Sequence, residues 1–277
     1  MSDADRSGAA RSTPAWIPVA LNHSGRPVPA LLGPAIMAFL VLVVLVAEVV
    51  RLATRGHLST VDERLLADLG GLLLVFGAGF YDDHGRGPHR GLRGHLRELA
   101  RGRITPGTIK LIAAVAAGAL IAAPSGQAVR SVVLGVPVMA GSANLWNLLD
   151  VRPGRAIKYF IPAAALLAIL GPSLDFELVG VAALVAAVAV LWPDLGEVAM
   201  LGDSGSNLLG LVVGIGLFRL GSIVGLALAL GAILALHVLA ETVTLSRIIE
   251  AAPPLRWFDR LGRQKNEGET ERPPASL

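Results

Sequence analysis

Apolar and polar residues follow one another along this chain in long blocks, not in the short periods of a soluble helix or strand. Apolar blocks cover residues 30–50, 65–81, 108–123, 131–149, 157–171, 178–192, 207–219 and 222–240. A helix needs about 20 such residues to cross a bilayer; each block reads as a spanning helix, although several are shorter than that, and their ends are placed only to within several residues. The fold class predicted is all-α: a polytopic membrane helical bundle with about eight transmembrane helices. Three regions follow: a polar N-terminal segment at 1–29, a transmembrane domain at 30–250, and a tail at 251–277. The chain is amphipathic just beyond Glu241 and reads as disordered after Gln264. No internal repeat stands out, and the first 16 residues lack the pattern of a cleaved signal.

Composition supports this reading. Hydrophobic residues make up 53% of the chain and charged residues only 16%, against about 25% charged in a soluble domain. There is no cysteine, which excludes disulfide, thiolate and iron–sulfur chemistry and leaves oxygen or imidazole as metal ligands. The net charge of +3 and the pI near 9.8 reflect arginine-rich loops rather than a nucleic-acid surface. With both termini in the cytoplasm, only Arg51, Arg55, Arg64, Arg130 and Arg219 of the 24 Lys and Arg residues fall outside. That bias predicts both termini cytoplasmic in a multi-pass plasma-membrane protein.

This orientation brings the acidic motifs to one side. Asp82 and Asp83 end the second block, Asp203 precedes the seventh, and Asn144, Asn147 and Asp150 recur every three residues at the end of the fourth. On a helix the last three lie within an arc of about 120°. Amides and a carboxylate at the end of an apolar helix face either water or a polar cavity and its ligand. Adjacent carboxylates suit a hard cation such as Mg²⁺, or a metal ligand beside a base. The glycines and serines of MLGDSGS at 200–206 let backbone approach a ligand, and the N–H groups opening the next helix can receive phosphate oxygens. The arginines of 86–103 suit an anionic lipid surface, phosphate recognition, or both. His237 and Glu241 read as a helix-end pair, Gly210 and Gly214 as a helix-packing GxxxG, and Glu48 and Asp68 carry no assigned role. Carboxylates, guanidinium groups and glycine-rich backbone at one membrane surface suit phosphoryl transfer with a lipid phosphate as one reactant.

Four motifs in order then resemble the polyprenyl-phosphate N-acetylhexosamine-1-phosphate transferases, of the phospho-N-acetylmuramoyl-pentapeptide transferase type. They are Arg26-Pro27-Val28-Pro29 with Gly33, GFYDD at 79–83, NLWNLLD at 144–150 and MLGDSGSNLLG at 200–210. The resemblance implies a Mg²⁺-dependent phosphotransferase, with its active site facing the cytoplasm. It would move a sugar 1-phosphate from a nucleotide diphosphate sugar, such as a UDP-sugar, onto a polyprenyl phosphate. The products would feed cell-wall, teichoic-acid or surface-polysaccharide assembly. It implies Asp203 and Asp82 as Mg²⁺ ligands and Asp82, Asp83 and Asp203 as catalytic residues. Asn144, Asn147, Asp150, Arg86, Gly202 and Ser204 would bind substrate. It leaves a homodimer open. The family's second aspartate after the asparagine motif is Pro153 here, and 252–259 carries no histidine where the family has a His-containing loop. The family also has ten or more spans, one more at each end. The readings from other classes are a non-catalytic relative that serves as a membrane scaffold or lipid-phosphate binder, and a transporter.

Overall fold

The structure is a computed structural model and describes residues 17–21, 25–56, 60–85, 92–171 and 174–263. A short antiparallel hairpin, β1 (Val19–Leu21) and β2 (Pro27–Pro29), comes first. Helices follow: α1 (Leu32–Arg55), α2 (Thr60–Asp83), α3 (Leu92–Ala100), α4 (Pro106–Ala122), α5 (Val129–Leu149), α6 (Arg155–Leu170), α7 (Leu174–Leu195), α8 (Gly202–Leu220), α9 (Ile223–Thr242), α10 (Leu245–Ala251) and α11 (Pro253–Arg260). A helix therefore stands at each of the eight predicted places. By length and composition six of them can cross a membrane: α1, α2, α4, α5, α7 and α9. The ends reach further than the apolar blocks because polar residues carry the helices on: α2 starts five residues before Leu65 and includes both aspartates. Part of the arginine-rich segment, read as loop, is the short helix α3.

The bundle is built around α8. Nearly every residue of this helix is buried, and α1, α2, α5, α6, α7 and α9 all pack on it. Its glycines set the distance. A Cβ on Gly210 would lie 2.4 Å from the Ser142 carbonyl oxygen of α5, and one on Gly214 would lie 2.6 Å from Met139 Cα. The GxxxG is thus a helix-packing seam, where small residues let backbones touch. The outer surfaces of α1 and α9 are the reverse, with Leu42, Val46, Val49, Val224, Leu228 and Val238 exposed. Large exposed aliphatic side chains around a buried helix are what a bundle in lipid requires.

Polar groups at the two ends are paired. At the end away from the aspartate motifs, Arg219 of α8 donates to both carboxylate oxygens of Asp68, each at 2.7 Å. Glu48 pairs with Arg51 one turn on. At the other end β2 and the 196–201 loop hold each other: Met200 N–H donates to Pro29 O at 2.9 Å, and Leu32 N–H to Met200 O at 3.2 Å. Arg26 pairs with Glu197 across the same seam. The Arg-Pro-Val-Pro motif thereby fixes the approach to α8.

Candidate active site

Asp82 and Asp83 are adjacent on the last turn of α2, so their side chains diverge by about 100° and do separate work. Asp83 turns to α8. Its Oδ1 accepts the backbone N–H of Asp203 at 2.7 Å and its Oδ2 that of Ser204 at 3.0 Å. A carboxylate from one helix thus caps another, meeting unpaired N–H groups and the positive end of the helix dipole together. These are N–H groups that the sequence offered to phosphate; here Asp83 takes them. The cap needs close backbone approach. A Cβ on Gly79 would stand 2.6 Å from Ser204 Cα, and one on Gly33 would stand 2.5 Å from Gly205 N. Gly202 has a φ of +71° and lies against the Asp83 carboxylate, a conformation glycine adopts without steric cost. The Ser204 side chain is fully buried.

Asp82 turns the other way, to Lys110 on the second turn of α4. Thr105 opens that helix, its hydroxyl accepting Thr108 N–H at 3.3 Å, with Pro106 as the first residue. Lys110 Nζ lies 2.5 Å from Asp82 Oδ2 and 2.7 Å from Asp203 Oδ2. One ammonium therefore joins the aspartate-pair motif to the MLGDSGS motif. Lys110 belongs to none of the motifs and sits inside an apolar block. Its signal was that position: a lone lysine in a spanning helix has a partner or a function.

The end of α5 is divided. The Asn147 amide oxygen faces the Ser206 hydroxyl at 2.9 Å, which ties it to α8 and leaves its NH₂ group as a donor. Asn144 turns away to α9, with its Nδ2 2.8 Å from His237 Nε2. His237 Nδ1 is 2.8 Å from the Ile233 carbonyl, so Nδ1 carries the proton and Nε2 accepts from Asn144. His237 is therefore joined to the asparagine motif rather than to Glu241. Asp150 ends the helix. Burial pushes its carboxyl well above the usual carboxylate range, and the charges of Asp194, Asp203 and Asp83 push it further. The three acidic clusters are thus brought to one end of the bundle. Arg86 lies outside the described residues.

Asp194 is buried and receives Gly154 N–H at 2.6 Å and Leu201 N–H at 3.1 Å. It joins the turns that follow α5 and precede α8. The cationic residues after Asp150 have their own partner. Arg155, fully buried, donates to Asp259 of α11 from Nε at 2.6 Å and Nη2 at 3.0 Å, and to Ser246 from Nη1 at 2.8 Å. Lys158 donates to the Asp259 and Leu261 carbonyls, and Arg152 pairs with Glu250. Arg152, Arg155 and Lys158 together clamp the C-terminal helices.

Among the described residues no three Asp, Glu or His side chains surround one point. Asp82 and Asp203 nonetheless each aim one oxygen at the same cationic position. Two carboxylates suit Mg²⁺, which keeps several waters and is usually held by one or two carboxylates plus phosphates. No protein-family model matches this chain, and no curated protein does.

Proposed function

We propose that the chain transfers a sugar 1-phosphate from a nucleotide diphosphate sugar to a polyprenyl phosphate, as an eight-span protein with both termini and the site facing the cytoplasm. The observation that supports this most is the convergence of Asp82, Asp203 and Lys110 on one point. In this reading an oxygen of the lipid phosphate bonds to the phosphorus that carries the sugar. The bond from that phosphorus to the bridging oxygen breaks, and the nucleoside monophosphate leaves. Asp82 and Asp203 would hold Mg²⁺, which neutralises the diphosphate oxygens when bound. Lys110 is the mobile positive charge of the site: displaced from the carboxylates, its ammonium can meet a phosphate oxygen. Asn147 offers amide hydrogens from a fixed position. Asp83, with both oxygens engaged by backbone N–H groups, acts by holding the start of α8.

The test is reconstitution with polyprenyl phosphate, Mg²⁺ and a panel of nucleotide sugars, following nucleoside monophosphate release. Release is expected, and loss of a catalytic carboxylate in Asp203→Asn or Asp82→Asn should lower it by at least about 100-fold. The second reading, a non-catalytic lipid-phosphate binder, draws on Lys110, whose ammonium reaches both carboxylates at once. Folded protein that retains polyprenyl phosphate but turns over no donor would favour it.

A further inference from the structure

The last described helix carries a surface that the site does not use. Asp259 is the only buried residue of α11, and it is fixed to Arg155. Phe258 meets Tyr159 edge-on with ring centroids 5.4 Å apart. Arg155, Lys158 and Tyr159 all lie in the first two turns of α6, so α11 rests against the flank of the bundle at the depth where α6 begins. A Cβ on Gly262, just past α11, would be 3.2 Å from Leu195, the last residue of α7. The clamp therefore sets which side of α11 looks outward.

That side is aromatic and basic. Trp257 is 66% exposed, and Leu255 and Leu261 are exposed beside it. Arg256 and Arg260 are exposed too, as is Arg247 of α10. The acids of this segment are committed elsewhere, Asp259 to Arg155 and Glu250 to Arg152. Among the described residues these three arginines have no acidic partner. Trp192 and Tyr81, both exposed, sit at the same end of the bundle. Indole and phenol rings at one level mark the boundary between hydrocarbon and headgroups. A short helix with an aromatic anchor and unpaired arginines lies in that boundary and attracts anionic lipid.

We infer that α11 is a membrane-surface anchor that binds the phosphates of anionic lipid headgroups through Arg256 and Arg260, with Trp257 inserted between the lipids. The inference does not depend on the transferase reading.

The full chain is placed in nanodiscs of phosphatidylcholine alone or mixed with phosphatidylglycerol, either lipid being brominated near the headgroup end of its acyl chains. The fluorescence difference between the native chain and Trp257→Phe isolates Trp257. Trp257 should be quenched more strongly by brominated phosphatidylglycerol than by brominated phosphatidylcholine. The double variant Arg256→Gln/Arg260→Gln should abolish that preference, since two arginines contribute about 30-fold in partitioning to an anionic surface. Its melting temperature, a check on folding, should be unchanged. Equal quenching by both lipids, or none, overturns the inference. So does shielding of Trp257 that appears in detergent and grows with protein concentration, which would assign the surface to a second copy of the chain.

Discussion

The Arg155–Asp259 pair can be broken by Asp259→Asn, and the outcome turns on which of two costs is smaller. If α11 stays docked, Arg155 remains fully buried facing a neutral amide. Removing one partner of a buried ion pair costs about 3–5 kcal/mol. If α11 leaves, Arg155 gains water, and what is lost is the rest of the docking. That remainder is of similar size. It consists of a half-buried Phe258, worth about 1 kcal/mol, and the two bonds from Lys158 to backbone carbonyls, worth about 1.5–3 kcal/mol each. The two costs are close, so release competes with strain and α11 becomes populated in the open state. Native-state trypsin cleavage after Arg256 and Arg260, in detergent without anionic lipid, measures that population when opening is fast relative to cleavage. A loss of about 3 kcal/mol raises the cleavage rate by about 100-fold, while the melting of the bundle shifts little. Unchanged cleavage would show that α11 stays docked without its ion pair, and cleavage that rises only in step with global melting would show that it does not open by itself; either outcome overturns the prediction. Burial alone would raise the Asp259 carboxyl, but Arg155, with Lys158 and Arg263, holds it below the usual carboxylate range. The stabilisation it lends is therefore complete above about pH 4. It is lost only as pH falls through the lowered folded-state value, so α11 in the native chain should stay protected down to about pH 4.

Asp150 carries the opposite sign. Its carboxyl is raised by burial and by Asp194, Asp203 and Asp83, so the folded chain loses stability as pH climbs from about 4 towards its folded-state value. Asp150→Asn should therefore melt higher than the native chain at pH 8, by about 2–4 °C for each kcal/mol relieved, with the gap closing near pH 4; a constant gap would show that charge is not the cause. Gly79→Ala places a methyl group 2.6 Å from Ser204 Cα, whereas the same change at Gly77 meets nothing within 4 Å. Gly79→Ala should lower stability by about 1–3 kcal/mol and Gly77→Ala should not. Equal effects in chemical or thermal melting would remove the backbone-contact account.

What the sequence made legible was local. The apolar blocks located the helices, because each block is contiguous and needs no partner to be recognised. The spacing of Asn144, Asn147 and Asp150 placed them at one helix end. Pairings across the sequence were not legible. Lys110 reaches Asp203 and Arg155 reaches Asp259 only because the intervening helices fold back, and no period in the sequence encodes that. The same holds for Asp83. Its pairing with the N–H groups of Asp203 and Ser204 depends on Gly79 and Gly33 admitting α8, a fact about packing between helices. Asn144 and Asn147 share a motif but serve different neighbours, since residues three apart on a helix still differ by about 60° in direction.

The enclosure of α8 makes its place depend on its neighbours. A helix carrying Asp203, Asn207 and Arg219 with five glycines gains little from lipid, and α8 is not among the six helices apolar enough to cross by themselves. Its polar groups find their partners on helices translated before it: Asp83 and Lys110 for Asp203, Asp68 for Arg219. The place of α8 in the bundle therefore rests on those pairings, because lipid offers its polar groups none. Its neighbours act as the solvent that lipid cannot be.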